Sequence, residues 1–246
     1  MFIKYSTEQR LESFMKKGEM YFNPAQKYRE IEEQYKLKGQ GDKNDSGLHS
    51  IANTALIMSP DGKVTVAHDV ENSILMGPAK NTPVFCLKRA DNEYISKSYR
   101  LELRKQFPEY THALIIDDEK NYLENIRYSM RNKAFAHKVF YQDNYCLDFL
   151  SFLYSGDSDI LFYPPKKKKQ NYYAHMMATN NNGEKLQEIF IDDSNYYKTM
   201  FRKDSFFQSQ QEYRIVLPRE HITKGKIFII HPFHARILPI DDLVKE

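Results

Sequence analysis

Five consecutive residues, Pro83-Val84-Phe85-Cys86-Leu87, constrain this chain more than any other stretch. The run is apolar throughout and too short for a helix. A strand of that kind has to be covered on both faces, so it belongs at the centre of a sheet. The rest of the chain supplies partners in the form of short β-branched and aromatic runs. These are Phe2-Ile3-Lys4-Tyr5, Met20-Tyr21-Phe22, His112 to Ile116, Lys138 to Tyr141, Tyr213 to Leu217, Ile227 to Ile230 and residues 234 to 240. Ala55 to Met58 and Lys63 to Ala67 flank Ser59-Pro60-Asp61-Gly62 and read as a hairpin. Helical patterns lie between the strands. Ser6 or Thr7 is placed to cap a helix carrying Leu11, Phe14 and Met15, which Gly18 ends. Asn23-Pro24 reads as a strand breaker before a charged helix from Ala25 to about Lys38. Tyr99 to Gln106, a helix opened by Asp117 or Asp118 with Tyr122, Leu123, Ile126 and Met130, a turn or two from Leu147 to Leu153, and Tyr196 to Phe201 follow. Leu186 to Phe190 fits helix or strand.

This order predicts one α+β domain over residues 1–246, with the N-terminal strands meeting the C-terminal ones. A chain of 246 residues buries a core without metal or disulfide staples. Cys86 and Cys146 lie in apolar runs and read as free thiols, which places the protein in a reducing cytoplasm. No run approaches the roughly 20 apolar residues that span a bilayer. No Cys/His cluster has metal-site spacing, so no metal site is expected.

Three stretches carry chemistry. Gln210-Gln211-Glu212 opens directly into the apolar Tyr213-Arg214-Ile215-Val216-Leu217, which sets a carboxylate at the start of a rigid strand. If both residues are extended, period-2 geometry turns Gln210 and Glu212 to one side. Taken alone, the tripeptide reads first as an ordinary polar strand edge, because a three-residue pattern often occurs by chance. Lys166, Lys167, Lys168 and Lys169 follow two prolines and precede Gln170-Asn171-Tyr172-Tyr173. The run reads either as a solvated loop or as a phosphate-contacting element, with Tyr172 and Tyr173 for base stacking. Residues 39–47, with three Gly and two Asp, read as a mobile surface loop; they match neither a Ca²⁺ loop nor a phosphate loop. A net charge of +3 excludes a polycation, so any affinity for nucleic acid rests on local patches.

Ile3-Lys4-Tyr5 followed by a helix and Gly18-Glu19-Met20-Tyr21-Phe22-Asn23, then Asn81 to Leu87, then Phe201 to Phe207 running into Gln210 to Ile215, form an ordered set. That set resembles bacterial proteins found among toxin and phage-defence genes, whose architecture is similar to the ADP-ribosyltransferase fold. The resemblance implies a split, mostly antiparallel sheet with flanking helices. It implies a transferase that moves ADP-ribose from NAD to a macromolecular acceptor, with NAD as substrate and an antitoxin protein as neutralising partner; among protein, DNA and RNA, the Lys166 to Lys169 run favours a nucleic acid as that acceptor. Carried onto this chain, Glu212 is the catalytic glutamate and Gln210 orients the acceptor. Lys4 and Tyr5 stand on the first strand, where many members have His or Arg, and face the cofactor; Tyr21 packs on its ring. Tyr28 and Arg29, on the helix after the second strand, come from the residues themselves, an Arg there being suited to pyrophosphate. Two other readings stay open. One is a metal-dependent nuclease built on carboxylates such as Asp42, Asp45, Asp117, Asp118, Asp192 and Asp193. The other is a non-catalytic nucleic-acid-binding module.

Overall fold

A computed structural model describes residues 1–35, 45–58, 64–74, 77–131, 133–141, 172–179, 185–192 and 196–245. Its centre is the apolar run: β5 (Pro83–Arg89) sits inside an eight-stranded sheet. Along one edge β5 pairs over five registered residues with β12 (Glu212–Val216), which pairs in turn with β7 (Phe135–Lys138). The other edge is shared. At one end β1 (Phe2–Ser6) pairs only Phe2↔Arg89 and Ile3↔Lys88; at the other β2 (Glu19–Pro24) pairs only Asn23↔Val84 and Pro24↔Pro83. From β1 the sheet continues through β6 (His112–Ile116) to β14 (Arg236–Pro239), and from β2 to β13 (Lys226–Ile229). All these pairings are antiparallel. Between β1 and β2 the sheet splits, and Phe85, Cys86 and Leu87 pair with no strand on that edge.

Strand periodicity divides the core. Phe2, Leu114, Ile116, Tyr213 and Ile215 face α1 (Glu8–Lys17) and α5 (Glu119–Ser129), where Leu11, Phe14, Tyr122 and Ile126 complete the main cluster. The Phe2 ring lies 4.5 Å from Tyr213 and 6.1 Å from Tyr122. Each such side chain removed from water is worth about 1.5–3 kcal/mol. Alternate residues Ile3, Tyr5, Ala113 and Ile115 face the other way, onto Leu103 of α4 (Lys97–Gln106) and onto Ile240 and Leu243. On that same face β12 presents Glu212 and Arg214, paired with Lys88 and Cys86 of β5.

The predicted pairing of early and late strands holds, since β2 meets β13. The hairpin is longer than expected: β3 (Leu48–Met58) and β4 (Val64–Ile74) pair from Leu48↔Ile74 to Met58↔Val64, with the turn itself outside the described residues. The segment containing 186–190 is a strand, β10 (Lys185–Asp192), paired with β9 (Tyr172–Thr179). Gly18 ends α1 at φ 70°, as a left-handed cap requires.

Several expectations need correction. Asn23-Pro24 does not break β2; both stay in the strand, because Pro lacks only a donor and sits at the strand's final position. Thr7 occupies the N-cap of α1 but its side chain makes no capping bond. Lys138–Tyr141 is not continuous: β7 ends at Lys138 and a separate β8 (Phe140–Tyr141) pairs in parallel with β11 (Arg202–Lys203). Asp45, Ser46 and Gly47 are buried rather than part of a mobile surface loop, since Asp45 is held by a buried arginine. The helix from Ala25, α2, is described to Tyr35; residues 36–44, Cys146 and the turn from Leu147 to Leu153 lie outside the described residues. Among the described residues no helix is long and apolar enough to cross a membrane.

Candidate active site

The split opens a cavity of about 1040 Å³ whose walls come from β1, α1, β2, α2, β5, α4 and the start of β12. That volume is at the upper end of small-molecule clefts. Glu212 stands on its wall. β12 begins at Glu212 because the preceding residues form a 3-10 turn, Ser205–Gln210, which Gln211 closes at φ 47°, ψ 47°. Asp204 caps that turn by accepting from the Phe206 amide at 2.8 Å.

The Glu212 carboxylate is gripped from two sides. Lys203 Nζ donates to Oε1 at 2.8 Å, and Arg214 Nε donates to Oε2 at 2.9 Å. The Glu212 amide donates to the Tyr141 hydroxyl at 2.6 Å. The β8–β11 pairing sets Tyr141 beside Lys203, so one small ladder carries two of Glu212's partners. Lys203 Nζ also donates to Gln210 Oε1 at 2.9 Å and lies 4.3 Å from the centre of the Phe207 ring. Gln210 and Glu212 therefore converge, but not through the expected period-2 geometry. Gln210 is not extended, and a shared ammonium brings the two side chains together.

Behind Glu212, Arg214 is fully buried. Its two Nη atoms donate to the Asp45 carboxylate at 2.7 Å each, a bidentate pair, and Nη1 also reaches the Met200 carbonyl at 2.7 Å. Asp45 is itself 0% exposed and accepts from the Ser46 hydroxyl at 2.6 Å. Thr199 Oγ1 ties the loop down by donating to the Ser46 carbonyl at 3.1 Å. Lys203–Glu212–Arg214–Asp45 is thus a continuous chain of two cations and two anions. Burial works against ionising Glu212, but Lys203 and Arg214 overcome it and hold the carboxyl down at about 2. Burial likewise opposes the Arg214 charge, and Asp45 and Glu212 outweigh it, raising that pKa further.

Of the other predicted residues, Lys4 lies in the split. Its ammonium donates to the Cys86 carbonyl at 2.8 Å, on the β5 edge that no strand covers, and lies 4.6 Å from the Phe85 ring centre. Burial lowers its pKa. Tyr28 lines the cavity with its hydroxyl 3.9 Å from Cys86 Sγ, and burial pushes that thiol up to about 11. Tyr5 and Tyr21 line the cavity too; Tyr5 is buried and Tyr21 stands exposed at the rim. Arg29 is not brought to the cavity wall. It donates to the Asp45 carbonyl at 3.3 Å and so serves the loop behind Glu212. Lys166 to Lys169 lie outside the described residues, and Tyr172 and Tyr173 open β9.

The sequence reading missed Lys203, Arg214, Tyr141 and Lys88, and offered Asp45 only as a possible metal carboxylate. Arg214 carried a signal, because period 2 puts it on the face of Glu212 and a buried strand tolerates an arginine only with a carboxylate partner. Of the carboxylates proposed for a nuclease, Asp45 is taken by Arg214, Asp117 bridges Arg236 at 3.0 Å and Asp118 caps α5. Asp192 ends β10, while Asp42 and Asp193 lie outside the described residues. Among the described residues no group of three or more His, Cys, Asp or Glu is placed to hold a metal ion. No protein-family model matches this chain, and neither a curated protein nor a solved structure does.

Proposed function

We propose that the protein is an ADP-ribosyltransferase-like enzyme that breaks the nicotinamide–ribose bond of NAD and passes ADP-ribose to a macromolecular acceptor. The observation that carries this reading is an ionised glutamate, clamped at the start of a central strand, on the wall of a large cleft opened by a split sheet. Breaking that bond builds positive charge on the ribose, as in glycoside chemistry. A pre-positioned carboxylate stabilises the charge without reorganising. Oε1 accepts from Lys203 and Oε2 faces both Nε and Nη2 of Arg214, and a carboxylate offers about four acceptor sites in all. Capacity is left for a ribose hydroxyl on the cavity side. Lys203 holds Gln210 beside Glu212, where an amide can orient an incoming nucleophile. Tyr28 and Tyr21 supply rings within the same cavity.

A nucleic acid acceptor is supported by Lys166 to Lys169 with Tyr172 and Tyr173 close behind in sequence. A toxin or antiviral role, with a neutralising antitoxin, rests on the resemblance to proteins found among toxin and phage-defence genes. The test is incubation with NAD labelled in its adenylate portion and total cellular protein, RNA and DNA. Label should enter the RNA or DNA fraction, and Glu212→Gln should abolish it. Label in no fraction, or undiminished label in the variant, would sink the reading.

A further inference from the structure

The cavity also has a lobe-like wall on the α4 side of the sheet, where Tyr5 alone has been given a role, as a cofactor-facing residue. It includes Tyr5 of β1, Lys88 of β5, Tyr99 of α4, and Phe107 and Tyr110 beyond α4. Two polar groups there keep hydrogen-bonding capacity unused among the described residues, one of them buried. The Tyr5 side chain is only 7% exposed, yet its hydroxyl has no hydrogen-bond partner. Buried hydroxyls are nearly always paired, so an orphan on a cavity wall indicates something that binds there. Lys88 is the other. Its ammonium donates to the Ser209 carbonyl at 3.2 Å and sits 4.1 Å from the centre of the Tyr99 ring, with no carboxylate in contact among the described residues. The Tyr5 and Tyr99 rings lie 6.2 Å apart, so the orphan phenol and the uncompensated ammonium flank one aromatic ring.

We infer that Lys88 and Tyr5 form an anion subsite that takes a phosphate group of a nucleotide. One carbonyl uses one of the three ammonium donors of Lys88, which leaves two for phosphate oxygens. The phenol adds a third donor. Burial lowers the Lys88 pKa to about 8, which leaves the ammonium largely charged at neutral pH, and a bound phosphate would raise the pKa again. A phosphate fits better than a carboxylate because the same lobe carries aromatic surface for a base, with Phe107 and Tyr110 stacked 4.7 Å apart. Glu102 and Glu109 line the lobe as well, and Glu102 accepts from Gln106 rather than from Lys88.

The subsite deepens the transferase reading, and rests on it only for the identity of the nucleotide. It also connects to Gln210, since Lys88 holds Ser209, one residue before it, and is the registered partner of Glu212.

The test is calorimetric titration of the protein with ADP, with adenosine as the phosphate-free probe, on wild type, Tyr5→Phe, Lys88→Met and Lys88→Arg, each with its melting temperature. ADP should bind at least about tenfold more tightly than adenosine. Lys88→Met should erase that preference, Lys88→Arg should keep part of it, and Tyr5→Phe should weaken ADP several-fold. Tyr5→Phe removes only an unpaired hydroxyl, so its melting temperature should stay level or rise. Unchanged ADP affinity in Tyr5→Phe and Lys88→Met would overturn the subsite, as would equal affinity for ADP and adenosine. Neither result requires transfer. ADP bound through Lys88 without any labelled product retains the subsite and removes the transferase. Label transferred with an unaltered KM for NAD in both variants does the reverse.

Discussion

Replacing Glu212 by Gln keeps the shape of the side chain and removes one charge from a chain of four. The carboxyl is held from its ordinary value of 4.5 down to about 2 by Lys203 and Arg214. At about 1.4 kcal/mol per pKa unit, that depression corresponds to roughly 3 kcal/mol of stability at neutral pH. The variant loses about this much. A carboxamide has one oxygen where Glu212 has two, so its NH₂ faces either Lys203 or Arg214, donor against donor. For a chain of this length each kcal/mol moves the melting temperature by about 2–4 °C, so the variant should melt roughly 6–12 °C lower at pH 7. It should still fold, because domains typically have about 5–15 kcal/mol in reserve. The pH dependence gives a second check with a definite sign. A depressed carboxyl contributes its stability above its unfolded pKa and loses it as pH falls through the folded one. The gap between wild type and variant should therefore be full above about pH 5 and close progressively from there toward pH 2. Asp117, Glu119 and Asp241 also have lowered pKa values from their own arginine or N-terminal partners, but they titrate in both proteins and cancel in the difference. Melting followed by circular dichroism from pH 7 to pH 2.5 measures the gap. Equal melting temperatures at pH 7, or a gap that stays constant into acid, would refute the reasoning, and loss of label transfer would then have to be explained without the ion chain.

Asp45→Asn leaves the buried Arg214 guanidinium short of its bidentate partner and should cost about 3–5 kcal/mol in urea denaturation. Asp45→Leu combined with Arg214→Met should cost less than the two single changes added together, because both charges leave at once; strict additivity would mean that the pair is not coupled. Gly18→Ala should lower stability by roughly 2–4 kcal/mol. Its φ of 70° disfavours any Cβ, and one placed there would lie 1.9 Å from the Ile230 carbonyl oxygen. A melting temperature within a degree or so of wild type would contradict that close approach.

Much of the sheet was legible because each strand announces itself locally. Pro83–Leu87 is apolar throughout and lies at the centre; Phe2, Ile3, Leu114 and Ile115 alternate between two core clusters as period 2 dictates. Gly18 needs only its own conformational freedom to end a helix. The failures share a different cause. Asp45 sits in a stretch whose composition, rich in Gly, Asp and Asn, describes a surface loop in every local respect. Only Arg214, 169 residues later, makes it a core residue. Lys203 reads as an ordinary surface lysine, and nothing within its own segment says that Phe207 and Glu212 enclose it.

That difference bears on how the site itself should be read. A glutamate before an apolar strand is common, and Gln210-Gln211-Glu212 alone does not separate an active site from a strand edge. An arginine two residues into the same strand is another matter. On a buried strand it must meet a carboxylate, and Glu212 is the nearest on its face. Glu212 cannot compensate Arg214 fully while also facing a cavity, so a second acid has to exist elsewhere in the chain. Asp45 is that acid. By taking the Nη side of Arg214 in a bidentate pair, Asp45 leaves only one guanidinium edge on Glu212, and Lys203 replaces what is lost from the other oxygen. The result is a carboxylate whose Oε1 meets Lys203 and whose Oε2 meets both Nε and Nη2 of Arg214, which remains ionised and keeps acceptor capacity on Oε1 for a ligand. The extra pair of charges, costly to bury, is what makes Glu212 a stronger candidate for chemistry than its sequence neighbourhood does.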